Sequence, residues 1–353
     1  MRILVTGGAG FVGSSLALAF KRDNPTADII AADNLKRRGS ELNLPRLRDA
    51  GIRFEHADIR EPEDLAALGP MDLLLECSAE PSVQAGYSGS PAYLLDTNLR
   101  GTLNCLETAR RHDATFVFLS TSRVYPIDPL RALPLTAKND ALTIPGGANG
   151  PGWSAHGIAE DFPLDGHRSL YGATKLASEQ FIEEYRAAFG LKAVINRCGV
   201  LAGPWQMGKV DQGFMCLWAA RHLYGGKLSY NGFGGLGHQV RDVLHVADLY
   251  DLLVRQLADL ETSAKGVWNV GGGAANATSL RRLSAACADR ARRELEIASH
   301  PDTNPADIPW FVTDARRAAT AFGWTPKKSL DTVIDEIFDW LETEREELQP
   351  LLS

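Results

Sequence analysis

The sequence predicts an α/β protein in which a doubly wound parallel sheet is followed by a smaller, mixed C-terminal lobe. Three observations support this. Residues 2–6 (Arg-Ile-Leu-Val-Thr) form a short apolar run that stops at Gly7-Gly8-Ala9-Gly10-Phe11-Val12-Gly13, and helical composition follows over residues 14–22. Apolar runs then alternate with helical segments as far as residue 120, the pattern of parallel βαβ units. Beyond Gly203 the alternation loosens, with aromatic residues and glycines gathering over residues 205–237.

The glycine turn sets the reading of the N-terminal half. Gly7 permits the tight turn, Gly10 lets backbone approach a pyrophosphate, and Gly13 allows the next helix to lie close on the strand. The N-terminus of the helix that follows favours phosphate. A second strand over residues 28–32 ends at Asp33, twenty positions past Gly13, where a carboxylate accepts bonds from ribose hydroxyls. Asp33 points to NAD as the cofactor, whereas Arg37 and Arg38 leave a 2′-phosphate open. After a third strand come Asp58 and Ile59. Asp58 suits either the adenine edge or the cap of a helix entering at Glu61-Pro62. Residues 71–77 read as a fourth strand, and 98–111 as an amphipathic helix with Leu99, Leu103 and Leu106 on one face. Residues 115–120 read as a buried parallel strand. Ligands of such a sheet bind beyond the carboxyl ends of its strands, where Thr121 stands.

Composition narrows the class. With 353 residues, 44% hydrophobic and 23% charged, the chain is neither disordered nor a disulfide scaffold. A net charge of −7 speaks against nucleic acid as a partner. The five scattered cysteines lack metal spacing, so no metal is expected. The glycines that break up the N-terminal apolar run, and the lack of any long uncharged stretch, point to a cytoplasmic protein with no membrane association.

Tyr171 and Lys175 lie four apart at the start of a helix running to about Phe189, and so share a face. An ammonium beside a phenol stabilises phenolate and lowers its pKa from ~10, which suits Tyr171 for proton exchange with a sugar hydroxyl. The same spacing also fits a core aromatic and a solvated charge. The glycine turn, Asp33 and Thr121 favour the catalytic reading.

Several stretches together resemble the extended short-chain dehydrogenase/reductases, the family of nucleotide-sugar epimerases and dehydratases. They are residues 6–13, Asp33-Asn34, Asp58-Ile59, 98–102, 120–125, 171–175 and 241–246. The resemblance covers nearly the whole chain and implies a Rossmann nucleotide-binding domain over 1–200 and a sugar-nucleotide lobe over 201–353. It makes Tyr171 the acid/base, Lys175 the residue that holds the nicotinamide ribose, and Thr121 the partner of the reacting hydroxyl. It places the cofactor against Gly7, Gly10, Phe11, Val12, Gly13, Asp33, Asn34, Asp58, Ile59, Ser78, Ala79 and Asn98 besides Tyr171 and Lys175. It places the substrate against Glu80, Ser122, Arg123, Asp211, Gln212, Gln239, Arg241 and His245. A homodimer through the helices near 98–111 and 171–188 is implied as well.

Departures from the family pattern narrow the chemistry. The 4,6-dehydratases follow the catalytic Thr with an acidic residue for elimination, and here Ser122 and Arg123 follow. The 4-epimerases carry an Asn where this chain has Val200. Arg123, residues 210–214 and residues 239–245 are similar to the CDP-paratose (CDP-tyvelose) 2-epimerases, which implies inversion at C2 of a CDP-hexose by transient oxidation and re-reduction. The stretch from Glu76 to Pro81 differs from the His-Leu-Ala-Ala/Gly-Gln of many relatives, and leaves Glu80 as a substrate ligand or a salt-bridged side chain. A UDP-sugar 4-epimerase and a catalytically silent NAD-sensing regulator are the competing functions.

The remaining features are read locally. Residues 126–168 form an insertion rich in Pro and Gly, either a functional lid or a mobile surface loop, with His156 and His167 at its surface. The glycines of 232–237 read as a hairpin turn, and helices are expected over 246–261, 279–295 and 330–347. Trp205, Phe214 and Tyr230 suit either a nucleobase or the core.

Overall fold

The structure is a computed structural model that describes every residue except Ser88 and residues 209–211. Strand β1 (Arg2–Thr6) enters the glycine turn and helix α1 (Phe11–Asp23). There follow β2 (Asp28–Asp33), α2 (Leu44–Asp49), β3 (Arg53–His56), α3 (Pro62–Ala67), β4 (Leu73–Glu76), α4 (Ala92–Leu95), α5 (Gly101–Arg111) and β5 (Thr115–Thr121). These five strands pair in parallel in the order β3-β2-β1-β4-β5. The order reverses between β1 and β4, which makes the carboxyl end there the switch point where such sheets bind ligands.

The chain then forms α6 (Ile127–Arg131), the hairpins β6 (Thr136–Lys138) with β7 (Ala141–Thr143) and β8 (Trp153–Ser154) with β9 (Gly157–Ile158), and the long helix α7 (Leu170–Phe189). Next come β10 (Ala193–Cys198), β11 (Val200–Ala202), α8 (Phe214–Tyr224), β12 (Leu228–Asn231), β13 (Val240–His245), α9 (Val246–Ala258), α10 (Leu260–Ser263) and β14 (Val267–Val270). The chain ends through β15 (Ala277–Ser279), α11 (Leu280–Ala291), β16 (Ile297–His300), β17 (Trp310–Phe311), α12 (Arg316–Phe322), α13 (Leu330–Thr343) and α14 (Arg345–Leu352). Strands β10 and β14 extend the large sheet beyond β5. Among the described residues no helix is long and apolar enough to cross a membrane.

Two compact units share the chain. One comprises Met1–Val124, Ser169–Arg197 and Leu249–Trp268, and the other Tyr125–Arg168, Cys198–Asp248 and Asn269–Ser353. In the first unit, Leu4, Leu74, Phe116 and Phe118 of the sheet pack with Leu106 and Ala109 of α5 and Ile182 of α7. Helices α1 and α9 meet through Phe20 and Tyr250, whose rings stand edge to face at 4.9 Å, while the Tyr250 hydroxyl donates to Asp23 at 2.8 Å. The helix expected over 98–111 holds a π-helical turn, Asp96–Arg100, before α5 begins. A π turn widens the backbone ladder and often marks a functional position. Here the Asn98 carbonyl takes side-chain hydroxyls, Thr102 at 3.0 Å and Ser178 of α7 at 3.2 Å.

In the second unit β13 pairs in parallel with β11 and β17 and antiparallel with β15. The insertion is tied into this unit, since Ile158 and Val312 to Asp314 exchange backbone bonds of 2.8 and 2.9 Å and Ile158 and Phe162 are buried. Tyr125 stacks on Phe311 at 5.8 Å and donates to Asn269 at 2.8 Å. Tyr230 belongs to the core, with its hydroxyl on Ser284 at 2.8 Å, and Trp205 packs at 5.7 Å from Trp340. One expectation is corrected. The glycines of 232–237 do not turn a hairpin, because β12 pairs in parallel with the distant β16. Gly232, Gly234, Gly235 and Gly237 instead carry positive φ, as Phe233 does, around a short 3-10 turn.

Why Gly13 must be glycine is measurable in the turn itself. A Cβ there would stand 2.1 Å from the Gly7 carbonyl oxygen, a backbone atom that cannot move aside. Gly13→Ala is expected to lower the unfolding free energy by about 2–3 kcal/mol in urea titration. Unchanged stability would mean that α1 does not rest on the turn.

Candidate active site

Helix α7 begins with a capped turn, Ser169 accepting the Gly172 N–H at 3.1 Å. Tyr171 lies in that first turn, and its carbonyl accepts the Thr174 hydroxyl at 2.8 Å. Lys175, one turn on, is only 2% exposed, and its ammonium sits 4.4 Å from the ring centre of Phe118 on β5. A second turn on, Glu179 is buried against the sheet. Its carboxylate takes Arg197 of β10 at 2.7 and 3.0 Å, and the Ser120 hydroxyl of β5. Tyr171, Lys175 and Glu179 follow the i, i+4, i+8 spacing of one helix face. Thr121 closes β5 beside this contact, its hydroxyl accepting the Arg123 N–H at 3.2 Å, and Ser122–Val124 form a 3-10 turn. The three residues expected to do chemistry thus sit at the carboxyl end of β5 and the first turns of α7, within one unit.

The glycine turn lies in the same unit. Gly7 has φ +65, and the Gly10 N–H donates to the Gly7 carbonyl at 3.0 Å. Phe11 and Val12 are half-buried at the start of α1. Asp33, at the end of β2, accepts the Ala9 N–H at 3.1 Å and the Leu35 N–H at 2.8 Å. Burial raises its pKa against the pull of these bonds. Asp58 accepts Asn34 at 2.9 Å and two Arg60 nitrogens at 2.9 and 2.6 Å. Burial works to raise its pKa, but the bonds from Arg60 and Asn34 prevail and hold the carboxyl at about 2. It does not cap α3, whose N-cap is Glu61. Ile59 is buried against Gly101, where a Cβ would come within 2.5 Å of it. The Asn98 amide clamps the loop after β4, accepting the Glu80 N–H at 2.7 Å and donating to the Glu80 carbonyl at 2.9 Å. Ser78 and Ala79 are half-buried on that loop. The Glu80 carboxylate accepts the Ser82 N–H at 3.2 Å and forms no ion pair among the described residues.

The other expected substrate residues belong to the second unit. Gln239 is buried and donates to the Asn231 carbonyl at 2.6 Å. Arg241 is engaged by Asp307 at 3.0 Å and the Ile308 carbonyl at 2.7 Å. His245 is buried, its Nδ1 accepting the Ala247 N–H at 3.1 Å and its Nε2 lying 3.1 Å from Glu336 of α13. Gln212 is half-buried, and Asp211 lies outside the described residues.

A match to the NAD dependent epimerase/dehydratase family spans residues 3–271. The chain belongs to that family. It is 30% identical to the CDP-paratose 2-epimerase of Salmonella typhi, over 96% of this chain and 99% of that one. It is 28% identical to a dTDP-glucose 4,6-dehydratase of Streptomyces niveus, over 100% of this chain and 96% of the relative. Among solved structures, the UDP-glucose 4-epimerase of Thermus thermophilus in complex with NAD superposes with a TM-score of 0.78 at 26% identity, covering 97% of this chain and 99% of that one.

NAD is the cofactor of this epimerase/dehydratase family member, and the residues present fit it. The turn is lined by glycines and leads into the N-terminus of α1, which favours a pyrophosphate, and at Gly10 a Cβ would meet only the Gly7 carbonyl, at 3.1 Å. Asp33 stands at the end of β2 with the acceptor that ribose hydroxyls need. Sequence reasoning missed Glu76, Glu179 and Arg197. The i+8 spacing from Tyr171 could have revealed Glu179, and a carboxylate closing the apolar run of β4 could have revealed Glu76.

A buried carboxyl in the second unit makes stability depend on pH. Burial pushes Asp242 of β13 from 3.8 up to about 6, although the Gly273 N–H at 2.9 Å pulls it down. The folded chain then keeps a proton that the unfolded chain releases. The resulting stability is full below about pH 4 and is lost as pH rises to about 6, a shift of about two units corresponding to about 3 kcal/mol. In urea titrations from pH 4 to 7, Asp242→Asn should flatten that segment of the stability curve. An unchanged slope would contradict the shift.

Proposed function

We propose that the chain inverts C2 of a CDP-activated hexose by oxidising that carbon and reducing it again from its other face. The observation that carries this reading is the turn after Thr121. Elimination in a dehydratase needs a carboxylic acid there, and the chain offers Ser122 and Arg123. Epimerisation needs no such acid. The likeness to the Salmonella typhi CDP-paratose 2-epimerase, extending over 96% of the chain, supports C2 as the carbon and CDP as the carrier.

NAD, held at the glycine turn and Asp33, would supply the hydride acceptor and donor for the carbon being inverted. The chain's own residues do the rest. The Thr121 hydroxyl orients the sugar hydroxyl, and Tyr171 takes its proton and later gives it back. Lys175, on the same helical face, favours the phenolate form of Tyr171. Arg241 contacts a pyrophosphate oxygen of the sugar nucleotide, an interaction that suits a guanidinium. Glu80, free of any ion pair among the described residues, has its carboxylate available for the hexose hydroxyls.

The test offers CDP- and UDP-hexoses to the purified protein and locates the inverted carbon by NMR. Inversion at C2 of a CDP-hexose is expected, and inversion at C4 of a UDP-hexose would replace this reading. Tyr171→Phe should cut turnover by about 10²–10⁴-fold while NAD still copurifies. Turnover undiminished would move the proton to another group.

A further inference from the structure

Glu76 closes β4 behind three leucines and is wholly enclosed. In register it stands between Thr6 of β1 and Phe118 of β5, and side chains at paired positions of parallel strands share a face. Helices α5 and α7 cover that face. From α5, the Thr102 hydroxyl donates to Glu76 Oε1 at 2.7 Å. Glu76 Oε2 is buried with no hydrogen-bond partner among the described residues. From α7, Lys175 brings its ammonium to within 4.4 Å of the ring centre of Phe118, the residue directly beside Glu76.

The other charged or titratable groups near this pocket are accounted for. Glu179, one turn beyond Lys175, is taken up by Arg197 and Ser120. Cys105 of α5 is held uncharged, since burial, reinforced by the Glu76 charge, lifts its thiol well above the usual range. Glu76 and Lys175 are left as the acidic and the basic group of one pocket closed off from water. An isolated ammonium buried against an aromatic ring is costly, and a carboxylate nearby offsets part of that cost.

We propose that Glu76 is a positioning residue, the buried counter-ion that holds the Lys175 ammonium in place on the Tyr171 face of α7. This rests on reading Lys175 as part of the catalytic machinery. Burial raises the Glu76 pKa and the Lys175 charge opposes that rise, as such a pairing requires. Glu76 acts from the same face of the sheet as the lysine and needs no contact with substrate.

A double-mutant cycle tests the pairing by stability, so its result does not depend on which sugar is turned over. Urea midpoints are read at saturating NAD for the parent chain, Glu76→Gln, Lys175→Met and the double variant, at pH 7 and pH 9.5. Each single change should lower the midpoint, and the double variant should lose less than the two losses added. The Glu76→Gln deficit should shrink at pH 9.5, because a lysine left without its counter-ion has a lowered folded pKa and gains stability as pH rises toward its unfolded value. In the Lys175→Met background that shrinkage should vanish. Additive losses with no difference in pH dependence would overturn the proposal. Should Glu76→Gln alone fail to fold, Lys175→Met gives the second reading. Its midpoint should fall between pH 5 and 7 as the orphaned Glu76 gives up its proton, and a flat curve would equally overturn the pairing. Failure to epimerise at C2 would sink the proposed reaction and leave these midpoints untouched.

Discussion

Between α7 and the sheet lies a charge pair closed off from water. Glu179 and Arg197 have side chains 4% and 6% exposed, and the Ser120 hydroxyl completes the cluster. Removing one partner of such a pair strands the other and costs about 3–5 kcal/mol, a large share of the 5–15 kcal/mol by which domains are stable. That cost fixes the helix in register on β5 and β10. Tyr171 and Lys175 ride on the same helix, two turns and one turn nearer its start, so their positions are inherited from a contact that does no chemistry. Thr121 follows Ser120 directly in the chain. A helix anchored at Glu179 and a strand anchored at Ser120 together fix the backbone positions of Tyr171 and Thr121.

The second unit is held by a different device. Asp242 lies in a space so tight that a Cβ on Gly271 would come within 2.3 Å of its carboxylate, and one on Gly199 within 3.3 Å. Two glycines therefore make room for a carboxylate that binds the Gly273 N–H and braces the loop after β14. Next to it, Arg241 is pinned by Asp307 and the Ile308 carbonyl, which presents its guanidinium from a fixed base.

Local chemistry made the first unit legible in sequence. The glycine turn, Asp33, the Tyr171 and Lys175 spacing and the parallel strands all follow from residues close together in the chain. What stayed hidden depends on residues far apart. The pairing of β12 with β16 joins segments about seventy positions apart, and nothing near Gly232 announces it. The π turn at Asp96–Arg100 leaves the apolar spacing of its helix almost unchanged, so periodicity passes over it. Glu76 looks like the exposed end of a strand until the sheet and two helices close around it. Arg197 and Glu179 read as unrelated charges until β10 lies beside α7.

In the proposed reaction one carbon is oxidised and reduced within a single site, with the hydride never leaving it. It is tested most directly with a CDP-hexose carrying deuterium at C2, turned over in ordinary water and followed by NMR and mass spectrometry. A C2-inverted product that keeps its deuterium, with none appearing in solvent, is expected. Loss of the label to water, at a rate matching epimerisation, would show proton removal from carbon and contradict it.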